Sequence, residues 1–427
     1  MSDPRRAVPA THALLRTHEL AAAVDRLGAD MVKAAVHRAQ AHVREGEMAP
    51  DAVVDAVLAD LPGAATSMCR VLNATGVIVH TNLGRAPLSS AAVQALVTAA
   101  GTTDVELDLR TGSRGRRGAG ALAALAAAVP DAEDVHIVNN GAAALSLVAT
   151  ALRGEVVVAR GELVEIGDGF RIPELLEASG VRLREVGATN RVSLGDYAAA
   201  IGPDTSFVLK VHPSNFVVNG FTSSVGIEEL AGLSVPVVAD IGSGLLAAHP
   251  RLPDEPDAAS ALRAGAALVT ASGDKLLGGP QCGLLLGRAE LVQRLRRHPV
   301  ARALRVDKLT LAALEATLRG PAPPVVAALA ATPDSLLHRA ERVAAALRSG
   351  GLDARAVPSA GVVGGGGAPG VDLPSAAIAL APSLAGPLRN GAVPVVGRVE
   401  RDRLLLDLLA LDPADDDALV AAVLAVA

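Results

Sequence analysis

The stretch that decides the fold is SGDKLLGGPQCG at residues 272–283. Apolar runs at residues 266–270 and 283–287 flank it and predict two buried strands joined by a turn of small residues. The turn holds one lysine, Lys275, whose neutral amine would be favoured once burial strips its hydration shell. A neutral, positioned amine is what a Schiff base with an aldehyde cofactor needs. For this stretch alone, a surface lysine in a hairpin is the competing interpretation.

Two further polar residues favour the cofactor interpretation. Ser272, three residues before the lysine, is placed to offer a hydroxyl to a cofactor phosphate. Asp240 emerges directly from the apolar run at residues 235–239, and a buried carboxylate needs a partner. In an enzyme that uses pyridoxal 5'-phosphate (PLP), that partner is the protonated pyridine nitrogen. The alternative role for the aspartate is a helix cap.

A phosphate-binding turn is predicted upstream of these residues. A strand at residues 135–138 runs into Asn140, Gly141 and Ala142, which open an Ala/Leu-rich helix. This geometry seats a phosphate on a helix N-terminus. Neither a Walker lysine nor GxGxxG is present, so a nucleotide is a poor fit.

Strand and helix patterns alternate from residue 135 to residue 287 and predict an α/β domain with a mainly parallel sheet. Polar loops follow the strands, including the loop that contains Asn215. Sites on such sheets gather at the carboxyl ends of strands. We therefore expect the phosphate turn, Asn215, Asp240 and Lys275 to lie along one edge.

Composition restricts the class of protein. The 427 residues are 50% hydrophobic but only 1% aromatic, and the net charge is −6. Stacking of nucleic-acid bases on aromatic side chains is therefore nearly unavailable, and binding must rely on phosphate contacts, shape and arginine. Two distant cysteines fit no disulfide or metal site, so no metal is expected. A reduced cytoplasmic protein without signal peptide or membrane span is predicted.

Three domains are expected. Residues 1–65 carry apolar residues at helical spacing, and Pro62-Gly63 marks a boundary. Residues 66–318 form the large α/β domain, and residues 319–427 form a small α+β domain after a proline-rich link.

Several strings together match one family. They are NATGVIVHTNLGRAPL at 73–88, RGELVEIGDGFRIP at 160–173, VHPSNFVVNGF at 211–221, SGDKLLGGPQCG at 272–283 and RALRVDKLTLAALEATL at 302–318. Weaker similarity continues through GGGGAPG at 364–370 and PVVGR at 394–398. The sequence resembles the bacterial selenocysteine synthases, L-seryl-tRNA(Sec) selenium transferases. The resemblance covers most of the chain and implies the aspartate-aminotransferase-like PLP-dependent fold type I.

The resemblance also implies an activity. Such enzymes convert seryl-tRNA(Sec) to selenocysteinyl-tRNA(Sec) through an aminoacrylyl intermediate, with selenophosphate as the selenium donor. Family members form a homodecamer, a ring of dimers, in which the helical N-terminal domain binds the tRNA. On this basis the chain takes part in selenocysteine biosynthesis, and hence in protein biosynthesis, in the cytoplasm.

By the same resemblance, Lys275 binds the cofactor covalently and Asp240 faces its pyridine nitrogen. Asp274 matches an acid thought to assist elimination. The selenophosphate pocket is implied to use three arginines, some of which can act in a neighbouring protomer: Arg85, Arg302 and Arg305.

The chain departs from the family pattern at three positions. Gly141 stands where Asn is usual. Cys282 stands where Ala is usual, and we expect it to be a small buried residue rather than a nucleophile. Leu409 replaces the arginine of an Asp-Leu-Arg string, and that loss would weaken the assignment if the arginine binds substrate. Two other functions stay open: a related PLP-dependent lyase acting on a small amino acid or amino sugar, and a tRNA-binding protein without catalysis, against which Lys275 argues.

Overall fold

The computed structural model describes residues 8–167 and 169–427. The chain divides into two compact units, Met1–Val71 and Leu72–Ala427. None of the described helices combines the length and apolarity needed to cross a membrane.

The N-terminal unit is helical, as the apolar spacing predicts. Its helices are α1 (Thr11–Leu14), α2 (His18–Leu27), α3 (Ala29–Glu45) and α4 (Val53–Asp60). Leucines and valines at helical spacing are buried on the facing sides of these helices. Gly28, with φ of 88°, joins α2 to α3 in a conformation that favours glycine.

The second unit contains the remaining elements. Its helices are α5 (Ser90–Ala100), α6 (Ala119–Ala128), α7 (Gly141–Leu152), α8 (Ile172–Ala178), α9 (Leu194–Ala200), α10 (Ile227–Leu230), α11 (Ala258–Arg263), α12 (Ala289–Arg297), α13 (Pro299–Ala303), α14 (Lys308–Arg319), α15 (Pro324–Ala330), α16 (Pro333–Ser349), α17 (Ala385–Arg389) and α18 (Asp416–Leu424). Its strands are β1 (Leu72–Asn73), β2 (Val77–Val79), β3 (Asp134–Val138), β4 (Gly154–Ala159), β5 (Glu165–Ile166), β6 (Phe170–Arg171), β7 (Val181–Val186), β8 (Thr205–Val211), β9 (Val237–Gly242), β10 (Leu268–Ser272), β11 (Gly283–Gly287), β12 (Arg355–Gly364), β13 (Asp372–Leu380), β14 (Val395–Val396), β15 (Arg398–Glu400) and β16 (Arg403–Asp407).

The larger sheet, here called the large sheet, has the order β3-β11-β10-β9-β8-β4-β7 within the described residues. Its neighbours pair in parallel from β10 through β7, while β11 is antiparallel to both β10 and β3. The prediction of a mainly parallel α/β sheet is therefore confirmed. Strands β4 and β8 to β11 are buried over most of their length because helices such as α7 cover them, which explains their Val, Ala and Leu runs, whereas the edge strand β7 exposes its charged residues.

A second sheet, here called the small sheet, has the order β15-β16-β13-β12-β2 in the described chain. The strand β2 comes from the region between the N-terminal unit and the large sheet, yet it pairs in parallel with β12, through Val77 opposite Val362. Similarly, β1 pairs with β14. Residues 72–79 are thus bonded to strands of the predicted small domain, whereas the proposed boundary between residues 318 and 319 stays a prediction.

Candidate active site

Lys275 lies in the turn between β10 and β11, at the carboxyl edge of the large sheet. The turn is fixed by its own backbone, because Gly278 N donates to Lys275 O at 2.9 Å and Leu276 N donates to Ser243 O at 2.8 Å. Burial lowers the pKa of the Lys275 amine, against the opposing effect of the Asp240 carboxylate. The structure therefore gives Lys275 the less hydrated, more readily neutral amine that the sequence predicts.

Asp240 lies on β9, next to the strand that ends at Ser272. The Thr270 hydroxyl donates to its Oδ1 at 2.8 Å. Burial raises the pKa of Asp240, and the bond from Thr270 and the charge of Lys275 oppose that rise. A carboxylate in this position gains most from a cationic partner that removes the cost of its burial.

The predicted phosphate turn lies beside the same edge. Ser272 is buried at the end of β10, and a Cβ added to Gly141 would lie 2.6 Å from its Oγ. A side chain at position 141 would crowd the Ser272 hydroxyl, and glycine lets the first turn of α7 approach it closely. The first amides of a helix have no carbonyl partner within it, so the Gly141 and Ala142 amides and the serine hydroxyl form a donor set suited to phosphate.

Asn140 has a local role in this turn. Its side chain accepts a hydrogen bond from Ala143 N at 2.8 Å and so caps α7. Asn215 is exposed, and its Nδ2 donates to Glu165 O at 2.9 Å. Both amides already have protein partners, and their contact with the cofactor stays a prediction.

A cavity of about 520 Å³ adjoins Asp240 on the side of β8 and β4. Two acid–base pairs line it. Lys210 forms an ion pair with Glu162, whose other oxygen accepts from Val211 N at 2.9 Å. His212 Nε2 lies 3.2 Å from Glu255 Oε2. Burial raises the pKa of Glu162, and Lys210 opposes that rise.

Arg85 and Asp274 are brought together from distant parts of the chain. Arg85 Nη1 donates to Asp274 Oδ2 at 2.6 Å, and Ala86 N donates to Asp274 O at 3.2 Å. Asp274 is buried, whereas the Arg85 side chain is 41% exposed and lines a groove with Thr81 and Gln281. A guanidinium has five N–H donors, so Arg85 retains donors for an anion beside Lys275.

Arg302 and Arg305 lie in a different part of the chain's fold. Both are exposed, at and just after α13, and neither lines the Arg85 groove among the described residues. Arg305 Nη1 lies 3.8 Å from Glu106 Oε1, and the same carboxylate pairs with Arg114 and Arg117. The hydrogen bond from Arg114 lowers the pKa of Glu106. Within the described residues, the two arginines therefore share no pocket with Arg85, and their binding of selenophosphate stays a prediction.

Sequence reasoning correctly expects Cys282 to be buried rather than reactive, since burial raises the pKa of its thiol to about 12. It missed Thr270 and Glu255. The signal for Thr270 was a polar residue inside an otherwise apolar strand. No local pattern marks Glu255, whose partners lie more than 40 residues away in sequence.

The family model for L-seryl-tRNA selenium transferase matches residues 71–412. The chain belongs to this family. An L-seryl-tRNA(Sec) selenium transferase of Hyphomonas neptunium is 41% identical, over 99% of this chain and 98% of that protein. Proteins of the same name from Moorella thermoacetica and Solidesulfovibrio magneticus are 45% and 46% identical, over 84% and 83% of this chain and 81% of each relative.

Among solved structures, a D-glucosaminate-6-phosphate ammonia-lyase superposes with a TM-score of 0.60 and 18% identity, covering 84% of this chain and 96% of that one. At that identity the likeness shows the fold alone. Fold and family together confirm the predictions of fold type I, of a transferase enzyme and of PLP as its cofactor.

Proposed function

We propose that this chain is an L-seryl-tRNA(Sec) selenium transferase, which converts the serine on tRNA(Sec) to selenocysteine with selenophosphate as the selenium donor. Family membership over most of the chain supports the reaction class. The observation that carries the proposal is the arrangement of Lys275, Asp240 and Ser272 at one edge of the large sheet.

The residues present fit PLP. Ser272 and the amides of Gly141 and Ala142 would hold its phosphate, and the absent Cβ of Gly141 leaves the room that the hydroxyl needs. Asp240 would hold the protonated ring nitrogen, and Lys275 would bind the aldehyde carbon. When bound, PLP acts as an electron sink that acidifies the serine Cα–H.

Lys275 would act as the base of the elimination. Its Nζ accepts the Cα proton, because burial keeps the amine neutral more readily than an exposed lysine would be. Asp240 keeps its negative charge against the ring nitrogen, which offsets the cost of burying it. Asp274, whose carboxylate is bonded to Arg85, would assist departure of the serine hydroxyl.

Arg85 would bind the selenium donor. Its guanidinium keeps donors free in the groove beside Asp274, and a planar guanidinium binds phosphate oxygens bidentately. We infer that Arg302 and Arg305 complete such a pocket across a subunit contact, because they do not join Arg85 within one described chain. A pocket of this kind requires a homo-oligomer, and the family resemblance implies a homodecamer.

We further infer that the N-terminal unit binds the tRNA and that the enzyme works in the cytoplasm, where charged tRNA is used. The proposal that residues 1–65 form the tRNA-binding domain rests on their separate helical core. With selenophosphate and seryl-tRNA(Sec) as its substrates, the enzyme would catalyse a step of selenocysteine biosynthesis.

The activity test incubates the purified protein with seryl-tRNA(Sec) and selenophosphate, then identifies the released amino acid by mass spectrometry. Selenocysteine is expected with the unaltered chain and not with Lys275→Arg, which keeps a positive charge but cannot bind the aldehyde. Seryl-tRNA(Ser) serves as the substrate control.

Conversion of free serine or an amino sugar, without any dependence on tRNA or selenophosphate, would instead establish the small-substrate lyase. That alternative has less support, because the lyase likeness extends only to the fold.

A further inference from the structure

Glu255 is a buried carboxylate beside the site that the reaction described above does not use. Its side chain is 1% exposed, and it lies on the loop that precedes α11. Its Oε2 accepts a hydrogen bond from Ala368 N at 2.6 Å. The same oxygen lies 3.2 Å from His212 Nε2, within hydrogen-bonding distance. Because burying a carboxylate is costly, two bonds to distant segments indicate that this residue joins them.

One of these segments covers the reactive lysine. The glycine-rich segment 364–368 begins at the last residue of β12, and a Cβ added to Gly366 would lie 2.6 Å from Lys275 Nζ and 3.0 Å from Cε. Gly366 also has a φ of 84°. The backbone of this loop therefore lies directly against the amine, which explains why the motif needs glycine there.

The same loop contains a strained residue at the point that Glu255 holds. Ala368 has a φ of 45°, in the left-handed region that residues with a Cβ rarely adopt. Such conformations persist only where surrounding contacts impose them. The hydrogen bond from Ala368 N to Glu255 is such a contact, and a charged acceptor makes it a strong one.

The other segment reaches the second cofactor residue. His212 N donates to Asp240 O at 3.0 Å, and both side chains line the same cavity. Glu255 thus lies between a loop that contacts Lys275 and a histidine whose backbone is bonded to Asp240.

We propose that Glu255 is a positioning residue, which holds the loop 364–368 over Lys275 and fixes His212 beside Asp240. The inference rests on the proposed function in one respect, that the purpose of this positioning is to align Lys275 with the cofactor. The geometry itself can be tested without cofactor, substrate or activity.

The test measures hydrogen exchange of the loop amides by mass spectrometry in cofactor-free protein, comparing the unaltered chain with Glu255→Gln and Glu255→Ala. Removing the carboxylate should speed exchange in residues 364–368 about tenfold, which corresponds to about 1.4 kcal/mol of opening free energy. The neutral amide keeps an acceptor but a weaker one, so Glu255→Gln should give an intermediate rate.

The matched control is Glu162→Gln, which neutralises another buried glutamate of the same cavity that bonds to Lys210 and Val211. It should leave loop exchange unchanged. If Glu255→Ala does not fold, the comparison of Glu255→Gln with Glu162→Gln carries the test. A second readout is the rate at which acetic anhydride modifies Lys275, which should rise with the loop exchange rate.

Loop exchange at the unaltered rate in the Glu255 variants would overturn the proposal. So would an equal rise in exchange across both sheets, because that pattern means general destabilisation. Either result leaves the assignment of Lys275 to PLP untouched, and failure of PLP binding in the unaltered chain would leave the loop result standing.

Discussion

Asp240, half-buried in the large sheet, and Asp407, buried in the small sheet, lie near the carboxyl ends of their strands and are used in opposite ways. Asp407 is fully buried and accepts bonds from Ser359 and Ser375 at 2.7 and 2.6 Å and from Arg398 Nη1 at 3.0 Å. Asp240 has the Thr270 hydroxyl at 2.8 Å and faces a cavity. A carboxylate whose oxygens are already bonded to donors of its own chain stabilises the fold. A carboxylate that faces a cavity is available to bind a ligand.

The Asp407 network also fixes the segment that leads to Arg85. Arg398 Nη1 donates to Thr75 O at 2.6 Å, and a Cβ at Gly76 would lie 2.6 Å from the same atom. The strings NATG at 73–76 and PVVGR at 394–398, though far apart in sequence, therefore meet at one ion pair. Leu409 is buried in the apolar cluster of this region, and its N donates to Asp407 Oδ1 at 3.0 Å.

The largest expected effect is loss of this ion pair. Arg398→Ala leaves Asp407 buried without its cation and should lower the free energy of unfolding by about 3–5 kcal/mol. Denaturant unfolding measures the change. The control Arg355→Ala removes an exposed pair with Asp353 and should cost less than about 1 kcal/mol. Equal, small losses in both variants would mean that the network is not structural.

The next effect extends the comparison to a half-buried histidine whose charged form is disfavoured by burial and by neighbouring arginines. Burial lowers the pKa of His136, on β3, to about 4. Between pH 6.5 and about 4, His136 is protonated in the unfolded chain but not in the folded chain. The free energy of unfolding therefore falls as pH falls, by up to about 3 kcal/mol. His136→Val should flatten that slope, as measured by denaturant unfolding across this pH range. An unchanged slope in His136→Val would contradict this reading of the histidine.

A smaller stability effect is expected at Asp240. Because its folded pKa is raised, the cofactor-free chain loses stability as pH rises from the ordinary aspartate pKa through the raised value. Asp240→Asn should remove that loss and leave the neutral-pH protein at least as stable. The same variant should weaken PLP binding about 10- to 100-fold, the loss of one charge-assisted bond. Thermal unfolding and PLP titration report the two effects, and a large loss of stability in Asp240→Asn would make it a structural aspartate like Asp407.

The smallest effect on the second unit should follow removal of residues 1–60. Because the N-terminal unit has its own core, its removal should leave the contacts of Asp240 and Asp407 and the affinity for PLP unchanged. Binding of tRNA(Sec), measured by filter retention, should weaken, and the lost affinity should depend steeply on salt. Unchanged tRNA binding would reject the proposed tRNA-binding domain.

The difference between the two aspartates also explains what the sequence could reveal. Asp240 and Lys275 were predictable because strand ends of a parallel sheet converge, so an apolar run followed by a polar residue marks the site. The Arg85–Asp274 bond was not, because it joins positions 189 residues apart. The pairing of β2 with β12 was equally hidden, since each short apolar run fits several partners. Glu255 left no local signal, because its role depends on which two segments the fold brings to it.

The central claim is tested most directly by locating the cofactor on the chain. The sequence has four lysines, Lys33, Lys210, Lys275 and Lys308, and one of them, Lys210, lines the cavity next to Asp240. Protein loaded with PLP is reduced with borohydride, digested and mapped by mass spectrometry. The account predicts a pyridoxyl group on the peptide that contains Lys275 and its absence in Lys275→Ala. A pyridoxyl group on Lys210, or on no lysine, would contradict it.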